Sequence, residues 1–127
     1  GSSDKASRWM TPGRFRCLTE LIEEHLGASL TVARLGREIG VSASFLSRAF
    51  SAFCVQTPYD YILSRRLQRA RRLIATTDDP LPGIALQAGF SSQSHMAASM
   101  KARLGLRPSM ISRPRRNRLS RPDDRPG

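Results

Sequence analysis

Apolar residues recur every three or four positions along most of the chain, and β-branched alternation is absent, so the pattern predicts helices throughout. The first runs from Pro12 to about Leu26, with Thr11 as its N-cap and Gly27 past its end. Phe15, Leu18, Ile22 and Leu26 form its stripe, and Glu20, Glu23 and Glu24 lie outside. A second helix follows Thr31, turns Val32, Leu35 and Ile39 inward, and stops at Gly40. Ser42 can cap a third, where Phe45, Leu46, Ala49, Phe50 and Phe53 make a broad apolar face. Thr57-Pro58 opens the longest helix, to about Thr76, because proline at the first helical position loses no hydrogen bond. Tyr59, Ile62, Leu63, Leu67, Ala70 and Ile74 are its stripe, and Asp78-Asp79-Pro80 breaks it. A short fifth helix spans about Pro82 to Ala88 and ends at Gly89; a sixth begins near Ser91 or Ser92 and reaches Leu104, with Gly105 as a left-handed cap. Pro108 opens one last turn through Ile111.

The same unit occurs twice. Leu35-Gly36 matches Ile84-Ala85, and Gly40-Val41-Ser42 matches Gly89-Phe90-Ser91, at an offset of 49; beyond the turn the offset is 50, pairing Ser44 with Ser94, Leu46 with Met96 and Phe50 with Met100. In each copy a small residue stands four before a glycine, which precedes an apolar residue and then serines that open a helix. The small residue admits a close crossing, the glycine takes the positive φ of a tight interhelical corner, and the apolar residue plugs that corner. This is a helix-turn-helix pattern, whose second helix enters the major groove of DNA. A lone copy is weak, since ordinary helical hairpins also turn at glycine. Two copies bridged by an arginine-rich helix are far more specific. That bridge measures roughly 28 Å at 1.5 Å per residue, against about 34–36 Å between successive major grooves on one face of DNA. A spacer of that size would let one chain address adjacent grooves without a dimer.

Composition sharpens the picture. The 127 residues fit one ordinary domain, 39% of them hydrophobic and only 6% aromatic, so the core is expected to be mostly aliphatic. The formal charge is +11, and all the basic residues but Lys5 and Lys101 are arginines. Residues 14–112 hold thirteen basic against seven acidic groups, so the excess is not confined to the tail. Such a balance favours an anionic partner such as nucleic acid or an acidic membrane surface. No apolar run approaches the roughly 18 residues of a membrane span, and no signal peptide opens the chain. Cys17 and Cys54 are expected to be buried thiols, and His25 and His95 lie too far apart for a metal site, so neither a metal nor a cofactor is expected. There is no phosphate-binding glycine loop and no nucleophile–base pair, so the expectation is a cytoplasmic protein that is not an enzyme.

The stretch from Leu30 to Ser109 resembles the DNA-binding domain of the AraC/XylS family of bacterial transcription regulators. The likeness is carried by Leu30-Thr31, Gly40-Val41-Ser42, Leu46-Ser47-Arg48 with Phe50, Thr57-Pro58 with Tyr61, and Arg65, Leu67, Ala70 and Leu73. Further on come Ile84-Ala85, Gly89-Phe90, the block Ser92-Gln93-Ser94-His95, then Lys101, Arg103, Gly105 and Pro108. The resemblance implies an all-α fold of about seven helices, with two helix-turn-helix subdomains joined by the long central helix. Residues 11–112 would form the domain: 11–56 the first subdomain, 57–76 the linker helix and 77–112 the second. Residues 1–10 are expected to be a flexible start, with Gly1-Ser2-Ser3 the remnant of an expression tag, and 113–127 a basic disordered tail. Recognition helices would span about 42–53 and 92–104. The partner implied is double-stranded DNA; family members more often activate than repress, by touching RNA polymerase. Most carry a separate effector-sensing domain absent from this chain, and a small stand-alone regulator is the competing possibility.

By position, Ser42, Ser44, Ser47 and Arg48 are the expected DNA-binding residues of the first unit, and Ser92, Gln93, Ser94, His95 and Lys101 those of the second. Arg48 can bond guanine O6 and N7 bidentately, or else touch phosphate or an acidic neighbour. Gln93 can address adenine in the same two-pronged way. His95 can meet phosphate or base, or bond locally at its helix start. The Arg65, Arg66, Arg69, Arg71 and Arg72 set is a solvated face that can pair with Asp60, Asp78 or Asp79 and lend a phosphate contact or two. Departures from the family pattern fall mostly in the second unit: Ala98 stands where a contact residue is usual, and Met96 and Met100 replace phenylalanines, so this unit is expected to read DNA more weakly. The alternative is a basic helical protein that binds nucleic acid without sequence preference.

Overall fold

The computed structural model describes residues 2–27 and 30–114. It is all-helical there, with no strand among the described residues: α1 (Ser2–Trp9), α2 (Pro12–Glu24), α3 (Val32–Ile39), α4 (Ala43–Phe53), α5 (Pro58–Thr76), α6 (Leu81–Gln87), α7 (Gln93–Leu104) and a 3₁₀ turn at Pro108–Met110. Side-chain caps set most starts. Thr11, Thr31 and Thr57 each accept a hydrogen bond at 3.1 Å from the backbone N–H three residues on, of Arg14, Arg34 and Asp60. The chain forms two compact units, Gly1–Arg65 and Arg66–Gly127, and the boundary falls inside α5.

In the first unit α1 and α3 both pack on α4. Its core gathers Ala6, Met10, Leu18, Ile22, Leu26, Leu30, Leu35, Leu46, Ala49, Phe50 and Ile62. Aromatic rings concentrate there despite their scarcity in the chain: Phe15 meets Phe50 at 5.1 Å and Phe53 at 4.7 Å, and Phe50 meets Tyr61 edge-on at 5.5 Å. Burial among them raises the Tyr61 phenol above its ordinary value. In the second unit α6 packs on α7, and Leu67, Ala70, Ile74, Ile84, Ala85, Ala88, Phe90, Met96 and Met100 are buried.

Four expectations are corrected. The flexible start instead holds α1, whose Ala6 is fully buried, with Met10 just past its end nearly so. Trp9 lies edge-on to Phe45 at 5.6 Å, so a mostly polar octapeptide is held helical by what it packs against. Cys17 is exposed and Cys54 half-buried, because Cys17 stands one residue off the buried Leu18–Ile22 line of α2. Tyr59 is exposed rather than part of the α5 stripe. Arg113 is half-buried and donates to the Asp79 carbonyl at 2.5 Å, which ties the chain after the 3₁₀ turn to the segment between α5 and α6. Residues 115–127 of the expected disordered tail lie outside the described residues.

Candidate nucleic-acid interface

Both corners are built by one hydrogen-bond pattern. In the first, Gly40 at φ 82° donates to the Arg37 carbonyl at 3.3 Å, and Val41 donates to the Gly36 carbonyl at 2.9 Å. In the second, Gly89 at φ 98° donates to Leu86 at 3.1 Å, and Phe90 to Ala85 at 2.9 Å. Each is a Schellman closure, in which the glycine supplies the left-handed step and the next residue reaches back over the last helical turn. The small residue answers to backbone: a Cβ on Gly36 would stand 2.7 Å from the Val41 carbonyl oxygen. Serines then start the second helices. The Ser42 hydroxyl accepts from Phe45 N–H and that of Ser92 from His95 N–H, both at 3.0 Å. The change of offset from 49 to 50 is one inserted residue, Ser91, between the plug Phe90 and the cap Ser92.

At 3.6 residues per turn, the line of α4 opposite buried Leu46 and Phe50 carries Ser44, Arg48, Ser51 and Ala52, all exposed. The corresponding line of α7, opposite Met96 and Met100, carries Ser94, Ala98, Lys101 and Ala102, also exposed. Ser51 is absent from the sequence-based set, although its place one turn beyond Ser47 and Arg48 was open to the same periodicity. Ser47 sits on the flank and is half-buried. On α4, the Arg48 Nη1 donates to Ser44 Oγ at 2.6 Å.

The second unit brings its residues together differently. His95 Nδ1 lies 3.3 Å from Ser91 Oγ, and its ring meets Phe90 edge-on at 5.4 Å, so local bonding at the helix start is realised. Gln93, Ala98 and Lys101 line a cavity of about 380 Å³ with Leu81, Arg107 and Pro108. Arg107 is an exposed cation that lines the same cavity as Lys101 and that helical periodicity misses, since it follows the Gly105 cap, where the chain turns left-handed at φ 67°. Of the α5 arginines, Arg65 bonds Glu23 of α2, a partner 42 residues away, and that contact raises its pKa. Among the described residues no group of His, Cys, Asp or Glu is placed to hold a metal, and no helix is long and apolar enough to cross a membrane.

Residues 35–113 match the family model described as a helix-turn-helix domain. The chain is 34% identical over 88 residues to the probable transcriptional regulator LumQ of Photobacterium leiognathi, covering 69% of this chain and 36% of LumQ. It is 32% identical over 92 residues to the regulatory protein SoxS of Salmonella typhimurium, covering 72% of this chain and 86% of SoxS. The chain spans about a third of the length of the longer curated relatives it matches. Among solved structures it resembles a transcriptional regulator with an AraC-type DNA-binding domain from Chromobacterium violaceum. The TM-score is 0.67 at 28% identity, over 83% of this chain and 90% of that one. The doubled corner, the capped second helices and these matches agree: the chain belongs to the AraC-type family of helix-turn-helix, DNA-binding transcription regulators.

Proposed function

We propose that the two helix-turn-helix units read two boxes about one helical turn apart, with α4 and α7 as the recognition helices. The observation that carries this is the pair of matched exposed lines, Ser44–Arg48–Ser51–Ala52 and Ser94–Ala98–Lys101–Ala102. Arg48 is the base-reading residue of the first unit, with Ser44 and Ser47 beside it, and Ser42 sets the helix start against the backbone. In the second unit Ser92, Ser94, His95 and Lys101 position the helix on phosphates, and Gln93 addresses a base from the first turn. Lys101 and Arg107 together add a cationic edge that neutralises phosphate charge.

The regulator acts in the cytoplasm, where its DNA is. It touches RNA polymerase, most often to activate, and answers a small-molecule effector through a part of the protein outside these 127 residues. Its activity is binding, with no catalytic step.

Selection from randomised duplexes at physiological salt tests the central point, since at low ionic strength a +11 chain would hold almost any DNA. Two enriched boxes about 10 base pairs apart are expected. Arg48→Ala is expected to lose preference at one or two base pairs, by about 1–3 kcal/mol, with folding retained. Retention that merely follows salt, with nothing enriched, would leave a non-specific basic helical domain instead.

A further inference from the structure

We infer that Ser44 is a positioning residue that sharpens base discrimination by Arg48; this rests on the assignment of Arg48 as the base-reading group. Arg48 lies four residues after Ser44 on the exposed line of α4. A helical side chain leans toward the N-terminus of its helix, so Arg48 naturally passes over Ser44. There Nη1 donates to the Ser44 hydroxyl at 2.6 Å. Both residues are exposed, so this bond does nothing for the core; beyond slight support of the helix turn it spans, its effect is on where the arginine is held.

An exposed arginine samples many rotamers, and ordering it on binding costs entropy in proportion. The Ser44 bond removes part of that freedom beforehand. It uses one of five guanidinium N–H donors, which leaves enough to bond guanine O6 and N7 together. A hydroxyl suits this task because it carries no charge: a carboxylate at the same place would hold the arginine harder and repel the phosphates around it. Ser44 therefore acts on which base is chosen, and hardly on how tightly DNA in general is held. The second unit keeps the equivalent serine, Ser94, but has Ala98 where the arginine would be.

The test compares the wild-type chain with Ser44→Ala, Ser44→Thr, Arg48→Ala and the Ser44→Ala/Arg48→Ala pair. Each is titrated against the duplex the wild type selects and against duplexes changed at single base pairs. The base pairs at which Arg48→Ala loses roughly tenfold preference define its contact. Ser44→Ala is expected to lose severalfold preference at those same base pairs, a larger loss than any on unrelated DNA, with folding retained. Ser44→Thr, which keeps the hydroxyl, is expected to restore the preference, and the double variant to be no worse than Arg48→Ala alone. Wild-type preference in Ser44→Ala, an equal loss on every duplex, or additive losses in the double variant would overturn the inference. An Arg48→Ala chain that weakens on all sequences alike would overturn the base-reading assignment beneath it, leaving Ser44 no preference to sharpen.

Discussion

Gly36 and Ala85 occupy the same step of the same turn, yet only one of them can carry a methyl group without moving backbone. In the first unit the Val41 carbonyl oxygen would lie 2.7 Å from a Cβ on Gly36; in the second, Ala85 already carries one and is fully buried. The backbone bonds that close the two corners are the same within 0.2 Å. What differs is the filling. Val41 is half-buried, whereas Phe90 is entirely buried. The second unit turns its corner over a large ring and a methyl, the first over a smaller side chain with turn backbone lying against Gly36. One backbone device thus accepts two packing solutions, and the exposed lines of α4 and α7 are free to diverge: arginine and serine on one, alanine and lysine on the other.

Packing gives the largest expected contrast between the two corners. Phe90→Ala should cost about 3–5 kcal/mol of stability, whereas Val41→Ala should cost no more than about 1.5, measured by urea denaturation. Next is the close approach. Gly36→Ala should destabilise by about 1–3 kcal/mol through overpacking against the turn, although it only copies the second unit; Ala85→Gly should cost about 1 through helix propensity and lost packing. A similar magnitude is expected on the DNA side, where Ala98→Arg places an arginine four residues after Ser94. It should add about 1–3 kcal/mol of discrimination at a base pair of the second box, measured by titration of single-base variants. The smallest contrast is at the glycines themselves. Gly40→Ala and Gly89→Ala should each cost about 1–2 kcal/mol, because both take a positive φ that a Cβ disfavours. A markedly cheaper substitution at either position would mean the two corners do not share their strain.

The sequence made the repeat legible because its parts are local. Thr11, Thr31, Ser42, Thr57 and Ser92 cap by bonds spanning three residues, and Gly40, Gly89 and Gly105 mark left-handed steps within one turn. The exposed lines of α4 and α7 follow from the same periodicity, whereas Ser44, Arg48, Ser94 and Lys101 were named as DNA-binding residues through the family resemblance. What stayed hidden depends on distant partners. Residues 2–9 carry no apolar stripe, and α1 exists because Ala6 and Trp9 find a surface far along the chain. Arg65 meets Glu23 across 42 residues and Arg113 meets Asp79 across 34, separations that no spacing rule registers. Arg107 was missed for a related reason: beyond Gly105 the helical register that predicts neighbours ends.

The most direct test of the account scrambles one box at a time in a duplex that the wild-type chain selects. Affinities are measured at physiological salt for the wild type and for Arg48→Ala. The box belonging to the first unit is the one whose scrambling no longer matters once Arg48 is gone. Scrambling this box is expected to cost the wild type more, about tenfold or beyond, than scrambling the other. Equal losses from the two boxes, or a larger loss from the box of the second unit, would contradict it.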